Sequence, residues 1–325
     1  MRRREFITLI GAAAAWPTMA RAQQPGRPFR IGFLGPTSAD ALPQRMEAFR
    51  AGLRAFGYQE GRDFVIAFRW ADGQYDRLPA LVADLVGGGV DLILTHGTPG
   101  VLAAKQGTSS IPIVMAVVGD ALGSGIVASL ARPGANVTGL TFFQPELVAK
   151  RMELLKEIIP ELRNVGALLN LANPMNEPVL PQVSRLAQSL KLEIHQFDVR
   201  DRSALEGAFA AMAAKRVDGL VVFDDAVLLA NAGSVAALAL KQRLPSCGWP
   251  DFALEGGLIA YGVNFPDMFR RAASFVDKIM KGAKPGDLPV ERASRFETIV
   301  NLKTAKAIGI ELPTATLLRA DQMIE

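Results

Sequence analysis

The chain has 325 residues, half of them hydrophobic and 21% charged, enough to bury a large core and to suggest two domains. Its formal charge is +4, but four arginines (Arg2, Arg3, Arg4, Arg21) and one acid (Glu5) lie in the first 22 residues, so without them the balance falls to about +1. That near-neutral remainder gives no footing for nucleic-acid binding, and the single cysteine, Cys247, rules out an internal disulfide.

The N-terminus reads as an export signal. Arg2-Arg3-Arg4 precede an apolar run that ends at Trp16, and Ala20-Arg21-Ala22 supplies a small-residue cleavage site. The run is too short to span a bilayer, and no later segment resembles a span. Arg3-Arg4-Glu5-Phe6-Ile7 also fits a twin-arginine signal, with the general secretory route as the alternative. The expectation is a periplasmic protein cleaved after Ala22, without a lipid-anchored cysteine behind the cleavage site.

From Phe29 onward, strand and helix patterns alternate. Arg30 to Leu34 is a short strand opening into Thr37-Ser38, and Leu42 to Phe56 has helical spacing with Gly57 as its stop. Phe64 to Trp70 is a strand, Tyr75 to Val86 a helix stopped by Gly87-Gly88-Gly89, and Asp91 to Thr95 a strand opening into His96-Gly97-Thr98. Ile111 to Val118 is a buried strand ending at Gly119-Asp120. The small-residue run Gly123 to Ala131 is expected to be helical, with Pro133-Gly134 ending it before a second extended piece at 136–140.

After Leu140 the pattern restarts. Val165 to Asn170 is a strand opening into Asn173 and Asn176, with a helix through Leu190 behind it. Glu193 to Val199 is a strand, Ser203 to Lys215 a helix, and Gly219 to Phe223 a strand opening into Asp224-Asp225. A helix then runs through Leu240, and Leu244 to Trp249 is a short strand. In the first half the third strand and the proline-led strand lie 60 and 81 residues beyond Ile31. In the second half the offsets from Val165 are 54 and 80, so the two halves repeat one wiring.

Such alternation predicts an α/β fold of two doubly wound, parallel-sheet lobes with a hinge. The expected division is 1–22 as the signal, 29–140 with about 265–284 as one lobe, and 145–260 with about 290–325 as the other. Crossovers are expected at Thr141–Gln144, at Tyr261–Asn264, and between Pro285 and Asn301. A cleft between lobes would face the carboxyl ends of both sheets, where such sheets bind ligands.

Catalysis leaves little trace. No nucleophile elbow, zinc-protease helix or phosphate loop occurs, and one cysteine with two separated histidines, His96 and His195, makes a metal site improbable. No catalytic residue, metal or cofactor is expected. The strand ends instead offer binding chemistry. Thr37, Ser38, His96, Gly97, Thr98, Gly119 and Asp120 come from the first half, and Asn173, Asn176, Asp224, Asp225 and Trp249 from the second. Phe142 and Tyr261 stand at the crossovers. Hydroxyls and helix N-termini suit a carboxylate, and an aspartate suits an ammonium group, so the expected ligand is a small carboxylate-bearing molecule, an amino acid or an aromatic acid, bound in the interlobe cleft. The competing reading for Thr37, Ser38, Asn173 and Asp224 is helix capping, and for Trp249 a place in the core.

Six stretches carry a resemblance: Ile111–Gly139, Lys150–Pro160, Gly256–Gly262, Arg270–Val290, Phe296–Gly309 and Leu318–Glu325. With them the chain resembles the ABC-transporter substrate-binding proteins of the tryptophan/tyrosine-binding type, over essentially all of the mature sequence. The resemblance implies a periplasmic-binding-protein fold of type I and a monomer that binds an amino acid, often aromatic, without catalysis. It also implies a membrane permease and its ATPase as partners, met by peripheral contact only. One departure stands out: the family's Thr-Asp-Pro is replaced here by Val118-Gly119-Asp120. A sensory or enzymatic periplasmic protein on the same fold is the competing reading.

Overall fold

Short apolar segments bounded by glycine, proline and polar turns become the strands of two sheets, and the amphipathic segments between them become the covering helices. The structure, a computed structural model, describes residues 27–325. The export signal lies outside the described residues. The first half runs β1 (Phe29–Gly35), α1 (Pro43–Ala55), β2 (Phe64–Trp70), α2 (Leu78–Gly87), β3 (Leu92–Thr95), α3 (Gly97–Gly107), β4 (Ile113–Met115) and β5 (Val137–Thr141). The second runs α4 (Gln144–Ile158), β6 (Asn164–Leu169), α5 (Asn176–Ser189), β7 (Glu193–Asp198), α6 (Ala204–Ala214), β8 (Gly219–Val222), α7 (Ala226–Ala230), α8 (Ala232–Lys241), β9 (Ser246–Gly248), α9 (Pro250–Leu254) and β10 (Ile259–Val263). The chain closes with α10 (Phe265–Met280), β11 (Glu291–Arg292), β12 (Phe296–Asn301), α11 (Leu302–Ile308), α12 (Thr314–Leu318) and β13 (Gln322–Ile324).

The first sheet has the order β11-β5-β4-β3-β1-β2, parallel throughout. The second has the order β13-β12-β10-β9-β8-β6-β7, in which only the β10–β12 pair is antiparallel. The chain passes between sheets at β5 to α4, at β10 to α10, and at β11 to β12. Three strands of connection therefore join the lobes, which is how a hinge is built without a flexible linker.

Alternation along the strands decides which side chains meet which helices. In β6, Val165, Ala167 and Leu169 pack with Met152 and Leu155 of α4 and Val179 and Val183 of α5. Leu168, with Leu220 and Val222 of β8, faces Phe209 and Met212 of α6 instead. Fully burying each such side chain is worth about 1.5–3 kcal/mol. In the first lobe Phe33 joins Phe49 and Leu53 of α1 and Phe269 and Phe275 of α10 in one buried cluster, so α10 returns to cover the first sheet after the second crossing.

One expected element does not form. Residues 123–131 are a chain of turns and bends, not a helix. The Asp120 side chain accepts from the backbone N–H groups of Leu122 and Gly123 at 3.1 and 2.9 Å, as a helix cap would, but the chain does not continue into a helix. Gly125 then adopts φ +66°, and two glycines in three positions cost a helix about 1 kcal/mol each. The strand expected over Ile111–Val118 is shorter, Ile113–Met115, and the helix expected from Asp225 to Leu240 breaks at Asn231 into α7 and α8.

Candidate ligand site between the lobes

Strands β1 to β4 of the first sheet and β6 to β8 of the second run parallel within their sheets, and the loops at their carboxyl ends oppose each other across the lobes. From the first sheet come Thr37 and Ser38 after β1, Asp72 to Tyr75 after β2, His96 at the N-cap position of α3, and Val117 to Gly119 beyond β4. The facing groups are Asn170 and Asn173 after β6, Arg200 to Arg202 after β7, and Asp224 and Asp225 after β8. The lobes touch. Tyr75 Oη donates to Asp225 Oδ2 at 2.8 Å, and Arg45 of α1 reaches Asp251 of α9 at 2.7 Å.

The Tyr75–Asp225 bond stands where the interlobe space divides in two. The inner chamber, among Arg45, His96, Thr98, Gly119, Met175 and Phe265, has a volume of only about 30 Å³. The outer chamber, among Thr37, Ser38, Tyr75, Asn170, Arg202 and Val227, measures about 580 Å³. A water needs about 10–15 Å³ of such space, and ligand pockets run about 300–1,000 Å³. The inner space holds little more than water, while the outer one admits a small organic ligand.

The charges in the site are settled in different ways. Asp224 forms a two-pronged pair with Arg151 of α4, at 2.7 and 3.1 Å, and the arginine side chain is wholly buried. Arg151 also donates to the carbonyls of Tyr261 and Val222, so this pair pins α4 against β10 and β8. Among the described residues no cation pairs with Asp225. It caps α7 through Val227 N and takes further hydrogen bonds from Tyr75, Asn173 and Asn170, while burial raises its pKa above the usual carboxylate value. His96 is pushed down to about 3 by burial and by Arg45, so it is a neutral imidazole, set between the rings of Phe33 and Phe269.

Several buried polar atoms of this region have no hydrogen-bond partner among the described residues: Thr37 Oγ1, His96 Nε2, Thr98 Oγ1 and both side-chain ends of Gln144. Buried polar groups in folded proteins are nearly always satisfied, so a row of orphans along the seam marks where a further molecule completes the bonding. Among the described residues no cluster of histidine, cysteine or acidic side chains suits a metal ion.

Residues 30–324 match the family model of the ABC transporter substrate binding protein. The chain belongs to that family. The substrate-binding protein is 25% identical over 272 residues to a tyrosine-binding protein of Clostridioides difficile, a match covering 83% of this chain and 78% of that one. It is also similar to a solved domain from Streptococcus pneumoniae in complex with L-Trp, at 26% identity and a TM-score of 0.84, covering 91% of this chain and all of that one. A conserved domain protein from Vibrio cholerae aligns at 25% identity with a TM-score of 0.85, covering 90% of this chain and 99% of that one. Two lobes of the periplasmic-binding-protein kind are therefore the fold of this substrate-binding protein.

The residues singled out from sequence fall in different places. His96, Gly97, Thr98, Gly119, Phe142, Asn173, Asp224 and Asp225 line the inner chamber, and Thr37 and Ser38 the outer one. Asp120 lines a separate cavity beside Phe143 and Arg292, where it also holds its own turn. Asn176, Trp249 and Tyr261 line neither chamber: Asn176 donates to Asn170 O, Trp249 packs on Phe252, and Tyr261 stacks on Phe296. Sequence reasoning passed over Tyr75, Arg45, Met175 and Arg202. The turn Asp72-Gly73-Gln74 at the end of β2 was a signal for Tyr75 of the same kind used at the other strands, whereas Arg45 sits within α1 and carried none.

Proposed function

We propose that this substrate-binding protein is the exported receptor of an ABC importer, closing its two lobes on a small amino acid and handing it to a membrane permease driven by an ATPase. The carrying observation is the line of unpartnered buried atoms, Thr37 Oγ1, His96 Nε2 and Thr98 Oγ1, along the seam between the lobes. The carboxylate is held by the hydroxyls of Ser38 and Thr98 and by backbone amides near Gly119, where helix N-termini concentrate positive potential. Asp225 is the counter-charge for the ammonium group, because Asp224 is already neutralised by Arg151. The amino-acid ligands named for the C. difficile and S. pneumoniae relatives agree with this class. No residue in the cleft is assigned a catalytic role.

Calorimetry with free amino acids and with benzoate tests the reading. At least one α-amino acid should bind, its N-acetyl derivative should not, and Asp225→Asn should cost about 2–5 kcal/mol of affinity. Failure of every amino acid to bind, or tighter binding of benzoate than of any amino acid, would overturn it.

A further inference from the structure

The outer chamber carries information about the ligand that the fold does not. Its volume, about 580 Å³, is nearly twenty times that of the inner one, so the bulk of any ligand lies there. Its walls come from both lobes. The first contributes Thr37, Ser38, Asp72, Gln74, Tyr75 and Asp76; the second contributes Asn170, Arg202 and Asn231 beside small apolar groups such as Ala226 and Val227. Tyr75 is the only aromatic residue in that lining. Phe142 and Phe265 stand at the inner chamber, while Phe143, Trp249 and Tyr261 line neither.

A second observation points the same way. Thr37, in the wall of the outer chamber, is 1% exposed, and its hydroxyl finds no partner among the described residues. Such a group is a standing cost that a ligand with a matching hydrogen-bonding atom removes and an apolar ligand leaves in place. Sites built this way discriminate strongly, because they reject the analogue that lacks the polar atom. Asn170 strengthens the case: its side chain is committed to Asp225 and to Ala172 N, so the wall is held rigidly and does not adapt to an apolar group.

Resting on the amino-acid reading above, we propose that the outer chamber is the side-chain subsite of this protein and that it selects amino acids whose side chains carry a hydroxyl or amide. Recognition is by the Thr37 hydroxyl and the polar wall around it, with Tyr75 closing the inner end through its bond to Asp225. Aromatic area alone is not what the chamber reads.

The test uses shape-matched pairs and the mature wild-type protein: glutamine with methionine, asparagine with leucine, threonine with valine, and tyrosine with phenylalanine. Calorimetry should find the polar member of the best-binding pair at least about tenfold tighter. Thr37→Val, which keeps the shape and removes the hydroxyl, should shrink that ratio to about twofold, with the loss falling on the polar member. Arg202→Ala, on the opposite wall, should weaken the polar member and leave the fold intact, as read by thermal melting. Equal or tighter binding of the apolar member, or an unchanged ratio in Thr37→Val, overturns the proposal. If no amino acid of any pair binds, it is the amino-acid reading itself that fails.

Discussion

Gly119, at the end of the first sheet, lies directly against Met175 of the opposite lobe: a β-carbon added to the glycine would sit 2.5 Å from Met175 Cε and closer still to its Sδ. A side chain at position 119 fits only if the flexible thioether of Met175 swings aside. The absence of a side chain at position 119 thus has a steric consequence, since it makes room for a thioether from the facing lobe. Met175 is buried, and its thioether sits where position 119 presents only backbone.

Gly119→Ala should therefore push the Met175 side chain out of its seat and so resist full closure. Small-angle scattering of the wild type should show a smaller radius of gyration with saturating amino acid, because contacts to both lobes exist only in the closed state. In Gly119→Ala that contraction should be reduced and affinity should fall about tenfold. Adding Met175→Ala should restore both, a coupling that distant sites do not show. Full contraction in the single variant would place the closure limit elsewhere.

Tyr75→Phe removes the cross-lobe bond to Asp225 and little else. A hydrogen bond to a charged group is worth about 1.5–3 kcal/mol, so affinity should drop about tenfold or more. The change should come from faster dissociation, as is usual within one interface, and stopped-flow fluorescence should show it in the off-rate. An unchanged off-rate would mean that the closed state does not depend on this bond.

The Arg151–Asp224 pair should matter for stability more than for binding. With both side chains buried, Arg151→Met strands a carboxylate in the interior and should cost about 3–5 kcal/mol in urea unfolding. The double variant Arg151→Met with Asp224→Leu should recover most of that loss, because it removes both charges. A single variant as stable as wild type would show that the site admits water.

His96 sets a pH dependence. Its pKa falls from 6.5 to about 3 on folding, through burial first and Arg45 second. Below pH 6.5 the unfolded chain takes a proton that the folded one refuses, so stability rises with pH across that window and is lost as pH falls from 6.5 towards 3. The full effect is at most roughly 5 kcal/mol at 1.36 kcal/mol per pKa unit. Asp225 acts in the opposite direction, since its raised pKa means that acid relieves a penalty. Urea midpoints at pH 7 and pH 4 should differ less in His96→Gln than in wild type; an equal difference would assign the acid sensitivity to other groups.

Export makes a separate prediction. N-terminal sequencing of the protein from a periplasmic extract should begin at Gln23, after Ala20-Arg21-Ala22. Replacing both Arg3 and Arg4 by Lys should trap precursor in the cytoplasm if the twin-arginine route is used; normal export of that variant would leave the general secretory route.

Features written in short stretches of chain were legible without coordinates. Strand and helix alternate because apolar periodicity and glycine or proline breaks act over a few residues, and that pattern carried the two lobes and the strand ends Thr37, His96, Thr98 and Asp225 that border the cleft. Long-range partnership was not legible. Asp224 and Asp225 are neighbours with the same chemistry, yet one is spent on Arg151, 73 positions away, and the other meets Tyr75, 150 positions away. Which carboxylate belongs to which partner depends on how α4 lies on β8 and on how the two sheets face each other. The same holds for residues 123–131, where local composition suggests a helix but Gly125 takes φ +66° and the chain turns instead. It holds again for Trp249, fully buried in the second lobe because burying a large ring is worth more than leaving it at a cleft, and for Tyr261, half-buried and stacked on Phe296. Hydrophobic periodicity determined the elements; the docking of one sheet against the other determined the site, because charge pairing and cavity shape arise only where distant surfaces meet.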